Sequence, residues 1–230
     1  MKLYDEKKSK AKEVDRADKG ESVRAAARDG ADDELRVLLC EPGCNVSHKD
    51  RDGMTALMWA AYSGHEACIS LLLPVSDMSA TSYFGMTALM GAVYSGHESC
   101  VRLLLPKSDV LAKNASGATA LTQAASTGLD ACVRLLLPVS DPLDTDPRGM
   151  TPLMWAACAG SVACLSLLLP VSTVLAKDED GLTASDWARK QKFEGAARFI
   201  DDYGLAQSER IDIEFAVPID VVRGRPASRM

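Results

Sequence analysis

Over residues 53–84 the apolar positions fall into two short runs with helical spacing. Leu57, Ala60 and Ala61 stand at i, i+3 and i+4, so they share one face of a helix. Ser63-Gly64 interrupts that run. A second run follows, with Cys68, Ile69, Leu72 and Leu73 apolar at the same spacing, and Pro74 ends it because proline cannot continue a helix. Val75 to Phe84 is a polar, turn-rich connection. The pattern predicts helix, tight turn, helix and long loop. Neither helix is long enough to bury a core alone, so neighbouring units must supply one.

The same text returns every 32 residues, marked by Gly53, Gly85, Gly117, Gly149 and Gly181. Met54–Met58 is echoed at Met86–Met90 and Met150–Met154, and Leu71–Pro74 returns at Leu103–Pro106, Leu135–Pro138 and Leu167–Pro170. Repetition at this period predicts a solenoid, in which each unit touches mainly its neighbours. Such a stack offers an extended surface rather than one deep pocket.

The unit Gly-x-Thr-Ala-Leu-x-x-Ala-Ala-x-x-Gly-His-x-x-Cys-x-x-Leu-Leu-Leu resembles the ankyrin repeat. The resemblance implies an all-α ankyrin-repeat solenoid of stacked helix-turn-helix units with loop or hairpin connections. It covers residues 20–204. A degenerate first unit spans 20–52, full units span 53–84, 85–116, 117–148 and 149–180, and a closing unit spans 181–204. Two departures stand out. The family period is 33, so one residue is lost here, in the loop after the second helix. The family's Thr-Pro-Leu-His histidine is Met58, Met90, Thr122 and Met154, so its hydrogen bonds must be absent or replaced.

The flanks differ from the repeats. Residues 1–19 are highly charged without apolar periodicity and are expected to form a flexible arm. In the tail at 205–230, Ile211, Ile213, Phe215, Val217, Ile219 and Val221 alternate with other residues, which predicts an extended strand. Folding back along the stack is expected for it.

Composition narrows the function. The net charge of −6 argues against a nucleic-acid surface, which needs clustered Lys and Arg. Residues 149–176 carry no charge over a length that could span a bilayer, but Gly160 and Pro170 break the segment where its sister units turn, so no membrane span is expected. Cys68, Cys100, Cys132 and Cys164 hold one repeat position, which suits small core hydrophobes and a reducing, cytoplasmic setting. Transfer into another cell stays open. The N-terminus has no apolar segment of the secretory kind.

Catalytic and metal chemistry find little support. His65-Glu66 and His97-Glu98 begin a zinc-hydrolase motif, but the second histidine is replaced by Ile69 and Val101. The pairs His65/Cys68 and His97/Cys100 sit on successive stacked helices, too far apart for one tetrahedral ion. Cys40 and Cys44 form a lone pair. Ser76, Ser108, Ser140 and Ser172 repeat without an adjacent base, and loop capping is the expectation for them. No catalytic residue, metal or cofactor is expected.

The aromatic residues point to binding. Trp59, Trp155 and Trp187 each lie four residues after the repeat threonine. On a helical wheel Trp59 and Tyr62 lie opposite Leu57, Ala60 and Ala61, and Tyr94 repeats the Tyr62 position. The resemblance places this helix on the concave inner face. Tyr83 and Phe84 add a loop tip. Tyrosine and tryptophan are enriched in interface hot spots. The candidate site is therefore Trp59, Tyr62, Tyr83, Phe84 and Tyr94, with Arg51, Met54 and Met86 from the adjoining loops. The expected function is non-catalytic recognition of a protein partner by a monomer. Two alternatives remain: assembly through the C-terminal segment, or regulation of a separate enzyme.

Overall fold

The repeat threonine is the first fixed point of each unit. Thr55, Thr87, Thr119, Thr151 and Thr183 each accept the backbone N–H three residues on, at 3.2–3.4 Å, which caps the first helix of the unit. A computed structural model describes residues 19–216, with side chains over 19–207. The helices are α1 (19–29), α2 (Asp32–Cys40), α3 (Ala56–Ser63), α4 (Glu66–Leu72), α5 (Ala88–Tyr94), α6 (Glu98–Leu104), α7 (Ala120–Thr127), α8 (Asp130–Leu136), α9 (Pro152–Cys158), α10 (Val162–Leu168), α11 (Ala184–Lys190) and α12 (Glu194–Ala216). No described helix is long and apolar enough to cross a membrane.

Two layers result. α3, α5, α7, α9 and α11 pack side by side as one layer, and α2, α4, α6, α8, α10 and α12 form the other. The core runs between them as a repeated layer, for which Leu57, Ala60, Ala61, Cys68, Ile69 and Leu72 in one unit are all buried. The four register cysteines lie in it. Burial, with a smaller contribution from Glu66, pushes the Cys100 thiol up to about 11. The fold is the all-α ankyrin solenoid that the repeat predicted.

The turn between the two helices needs glycine. Gly64 has φ +85°, and a Cβ there would stand 2.7 Å from the His97 ring of the next unit. That ring closes on it because His97 Nε2 hydrogen-bonds to the Tyr62 carbonyl at 3.1 Å, as His65 Nε2 does to the Arg28 carbonyl at 3.0 Å. The second helix ends at its proline. Pro106, Pro138 and Pro170 each sit in a single 3₁₀ turn directly after the α-helix, and Pro74 sits in a turn. The missing family histidine is partly replaced, since Thr122 shares a hydrogen bond with Thr119 at 3.0 Å and Met154 Sδ accepts the Thr151 N–H at 3.5 Å.

The loop serines do not behave alike. Ser108 bonds to the Leu104 carbonyl at 2.9 Å, but the buried hydroxyls of Ser76, Ser140 and Ser172 have no partner among the described residues. Capping falls instead to the next residue, where Asp77, Asp109 and Asp141 each accept the N–H two residues on.

The long loops return as short hairpins whose tips are tied to each other. The Tyr83 N–H donates to the Asp52 carbonyl, Ala115 to Phe84 and Glu179 to Arg148, all at 2.9–3.0 Å. Pro147 holds the equivalent place between the third and fourth full units and has no N–H to give. There Lys113 crosses instead, donating to Asp144 at 2.7 Å and to the Thr145 carbonyl at 3.0 Å.

The C-terminus corrects one expectation. The segment from Ile211, expected to be an extended alternating strand, is helical as far as Ala216. Extending an existing helix adds one hydrogen bond per residue fixed, whereas a lone strand has no edge to join. Residues 217–222, the rest of the expected strand, lie outside the described residues. So does the expected N-terminal arm apart from Lys19, which is already helical.

Candidate functional site

On the first-helix layer the repeat brings aromatic rings of successive units together. Trp59 meets Tyr62 edge-on, with centroids 6.0 Å apart and planes at 82°, and Tyr62 stacks on Tyr94 of the next unit at 6.1 Å and 16°. Both geometries suit the ring quadrupole. Tyr62 is 41% exposed and Tyr94 54%, so the stack faces solvent. Gly91 occupies the tryptophan register between them. A Cβ there would lie 3.8 Å from that of Tyr62, so an indole at this place would compete with the Tyr62 ring for space.

Tyr83 and Phe84 are 71% and 65% exposed at their loop tip, with the Tyr83 ring laid against Gly53. Among the described residues no ring contact joins them to the stack. Arg51 is exposed and lines a groove of about 700 Å³ with Arg24, Arg28, His48, Lys49 and Trp59. Met54 and Met86 are half-buried against the core, and Met86 Sδ accepts the Asn114 amide at 3.7 Å. The structure therefore clusters Trp59, Tyr62 and Tyr94, sets Arg51 and Trp59 on the wall of one groove, and leaves the two methionines as support.

Each hairpin is organised by one polar side chain. Asp50, Ser82, Asn114, Asp146 and Asp178 share a register, and each accepts the backbone N–H groups two and four residues on. In two units the second carboxylate oxygen takes an indole: Trp59 donates to Asp50 and Trp187 to Asp178. Burial pushes the Asp50 carboxyl up. The hydrogen bonds from Met54, Trp59 and Asp52 outweigh it and hold the group below its ordinary value. Asp178 is shifted the same way, with Leu182, Trp187 and Asp180 donating against burial.

The third tryptophan differs. Arg148 lies over the Trp155 ring at 5.0 Å and faces Asp146 at 3.6 Å, so it occupies the carboxylate that the indole takes elsewhere. Trp155 Nε1 is buried and unpaired, and so is Gln123 Oε1 at the same register one unit earlier. The two residues line a notch of about 190 Å³ bordered by Tyr94. Sequence reasoning missed this pair. The signal was the third residue of the hairpin, which is arginine only in this unit.

Metal-ligating geometry is as follows. His65 and His97 each spend Nε2 on a carbonyl of the preceding unit, and Cys68 and Cys100 are buried. Cys40 is exposed and Cys44 half-buried. Among the described residues no three His, Cys, Asp or Glu side chains gather where they could hold an ion.

Comparison with known proteins agrees with this architecture. The family model described as ankyrin repeats (3 copies) matches residues 23–114 and 107–178. Among curated proteins none matches. Among solved structures 530 chains match, so the fold by itself selects no partner. One of them belongs to the complex of the Bd0816 predatory endopeptidase from Bdellovibrio bacteriovorus with immunity protein Bd3460. It is 23% identical, with a TM-score of 0.71 over 79% of this chain and 97% of that one. At that identity the likeness speaks for the fold alone.

Proposed function

Because this chain belongs to the ankyrin repeat family, we propose that it is a non-catalytic recognition module that takes a protein partner on its first-helix layer. The observation that carries this is the solvent-facing Tyr62–Tyr94 stack, continued by Trp59. Large rings with few rotatable bonds lose little entropy when a partner covers them, which is why they anchor interfaces. Tyr83 and Phe84 extend the apolar surface at a loop tip. The partner is a folded protein or an exposed segment long enough to cross two units.

A second reading is a chain that restrains an enzyme. It rests on analogy of fold alone, with a chain from an endopeptidase–immunity protein complex. The tail-driven alternative loses support, because residues 211–216 continue α12 rather than forming a strand.

Site-specific photocrosslinking in the source cells tests the binding face. A crosslinker at position 62 or 94 should trap one protein, and one at exposed Arg102 on the opposite layer should not. Adducts from Arg102 alone would place the site on the other face. An adduct that is an enzyme, with its activity lowered by the added chain, would select the second reading.

A further inference from the structure

The groove at the start of the stack is walled by charges that mostly do not pair with one another. Its volume is about 700 Å³. One stripe of α1 contributes Glu21, Arg24, Ala25 and Arg28, the hairpin of the next unit contributes His48 to Asp52, and α3 contributes Trp59. Arg28 is held by Asp29 at 2.9 Å. The other three cations, Arg24, Lys49 and Arg51, come within 4.0 Å of no carboxylate among the described residues. Lys49 donates instead to the Thr81 carbonyl at 2.7 Å, and Arg51 stands exposed. Arg24 differs from both. It is half-buried, and its guanidinium donates to His48 Nδ1, an uncharged acceptor. Asp50 is stabilised by Arg24 but does not pair with it, because its oxygens take the Asp52, Met54 and Trp59 N–H groups. Glu21 and Asp52 are exposed, where water serves them. A half-buried guanidinium without a carboxylate is a group that a partner can complete.

We propose that this groove takes one aspartate or glutamate side chain of the partner segment that docks on the aromatic face. The proposal rests on that face being the binding surface, since Trp59 belongs both to the groove wall and to the cluster with Tyr62 and Tyr94. A guanidinium fork donates two N–H groups to a carboxylate, and exposed Arg51 adds a second positive charge. Other occupants fit less well. An ammonium would meet the four cations of the wall. An apolar side chain would leave Arg24 without a counter-charge. A phosphate or a run of acids would bring two or more negative charges against Glu21, Asp50 and Asp52, whereas a single carboxylate meets four cations and three acids. The Trp59 N–H does not draw the acid away, because Asp50 already holds it. The docked segment thus sets one acid beside Arg24 and an apolar stretch along Tyr62 and Tyr94, which fixes the direction in which it crosses the stack.

The test uses the full chain and a displayed library of random linear peptides. Selected peptides are re-measured against four variants: Arg24→Gln, Arg51→Gln, Glu21→Gln/Asp52→Asn and Tyr62→Ala/Tyr94→Ala. The expected result is a family of peptides with Asp or Glu at one fixed distance from an apolar anchor. Changing that acid to its amide should weaken binding about tenfold. The loss should shrink in Arg24→Gln, because the acid's partner is already gone. In Glu21→Gln/Asp52→Asn the acidic peptides should bind about two- to threefold tighter, since two opposing charges are removed. Peptides that carry Lys or Arg at that place, or no charge, would overturn the groove and leave the aromatic face standing. So would acidic peptides that bind Arg24→Gln and Arg51→Gln undiminished, or that weaken in Glu21→Gln/Asp52→Asn. Displacement by inorganic phosphate, at an ionic strength matched with chloride, would also overturn it by showing that a dianion is the better ligand. Peptides that depend on Arg24 yet bind the double alanine variant at full strength would support the groove and remove Tyr62 and Tyr94 from the centre of the site. A library that yields no binder would count against both. If Arg24→Gln fails to fold, Arg51→Gln and Glu21→Gln/Asp52→Asn, all at exposed positions, still decide.

Discussion

Trp59 donates its indole N–H to Asp50, nine residues earlier, at 2.6 Å, and Trp187 repeats the bond to Asp178 at 2.7 Å. The other oxygen of each carboxylate holds two backbone N–H groups of its hairpin. One side chain therefore fastens the loop to the first helix of the unit. In Asp50→Asn the amide cannot serve all three donors, because its nitrogen meets the indole as a second donor. The variant should lose about 1–3 kcal/mol in urea denaturation. A midpoint equal to the parent's would show that the bond contributes nothing.

The same carboxylates set an acid limit. Their folded-state pKa values lie below the ordinary value of about 3.9. Their contribution to stability is complete above that value and is lost as pH falls through the depressed folded-state values. Asp186, whose carboxyl accepts from Thr183, adds to it in the same direction. Thermal midpoints should be flat from this source between pH 7 and 5 and drop below about 4. In Asp50→Asn/Asp178→Asn the drop should be shallower from a lower start. Parallel curves for the two proteins would remove these groups from the account.

Thiol labelling should separate the cysteines by place. Cys40 is exposed, whereas Cys68, Cys100, Cys132 and Cys164 are buried. Desolvation raises all four buried thiols, so little thiolate exists at neutral pH. Iodoacetamide at pH 7.5 should modify Cys40 first, and the four register cysteines only when denaturant opens the stack. Early labelling of Cys100, read by mass spectrometry, would contradict the packing.

Alanine at Tyr62 and at Tyr94 should each weaken partner binding by about 2 kcal/mol, with the double variant losing less than the sum because the rings stack on each other. Folding stability should fall less, since about half of each ring is open to solvent. Unchanged affinity, measured calorimetrically, would move the site elsewhere.

Much of this was legible in the residues. The period, the turn glycines and the prolines fixed the two-layer stack, because each is tied to a local backbone requirement. The aromatic face followed from the angle between Tyr62 and Leu57 on one helix. What stayed hidden was pairing at a distance. All three tryptophans have an aspartate nine residues before them, and Ser82 and Asn114 stand before Gly91 and Gln123. That correlation was visible, but only coordinates show that Arg148 diverts the third aspartate. The tail was misread for another reason. Alternation over Ile211, Ile213 and Phe215 is too short to outweigh a helix already running, and no proline stands in its way until Pro218.

Along the row of hairpin tips, Pro147 marks a junction that no main-chain bond fastens. The hairpin tips on either side are fastened by main-chain bonds that salt does not touch, whereas this one coil is closed by Lys113 reaching to Asp144 across solvent. The fastening at that junction therefore weakens as ionic strength rises, while the main-chain bonds of its neighbours hold.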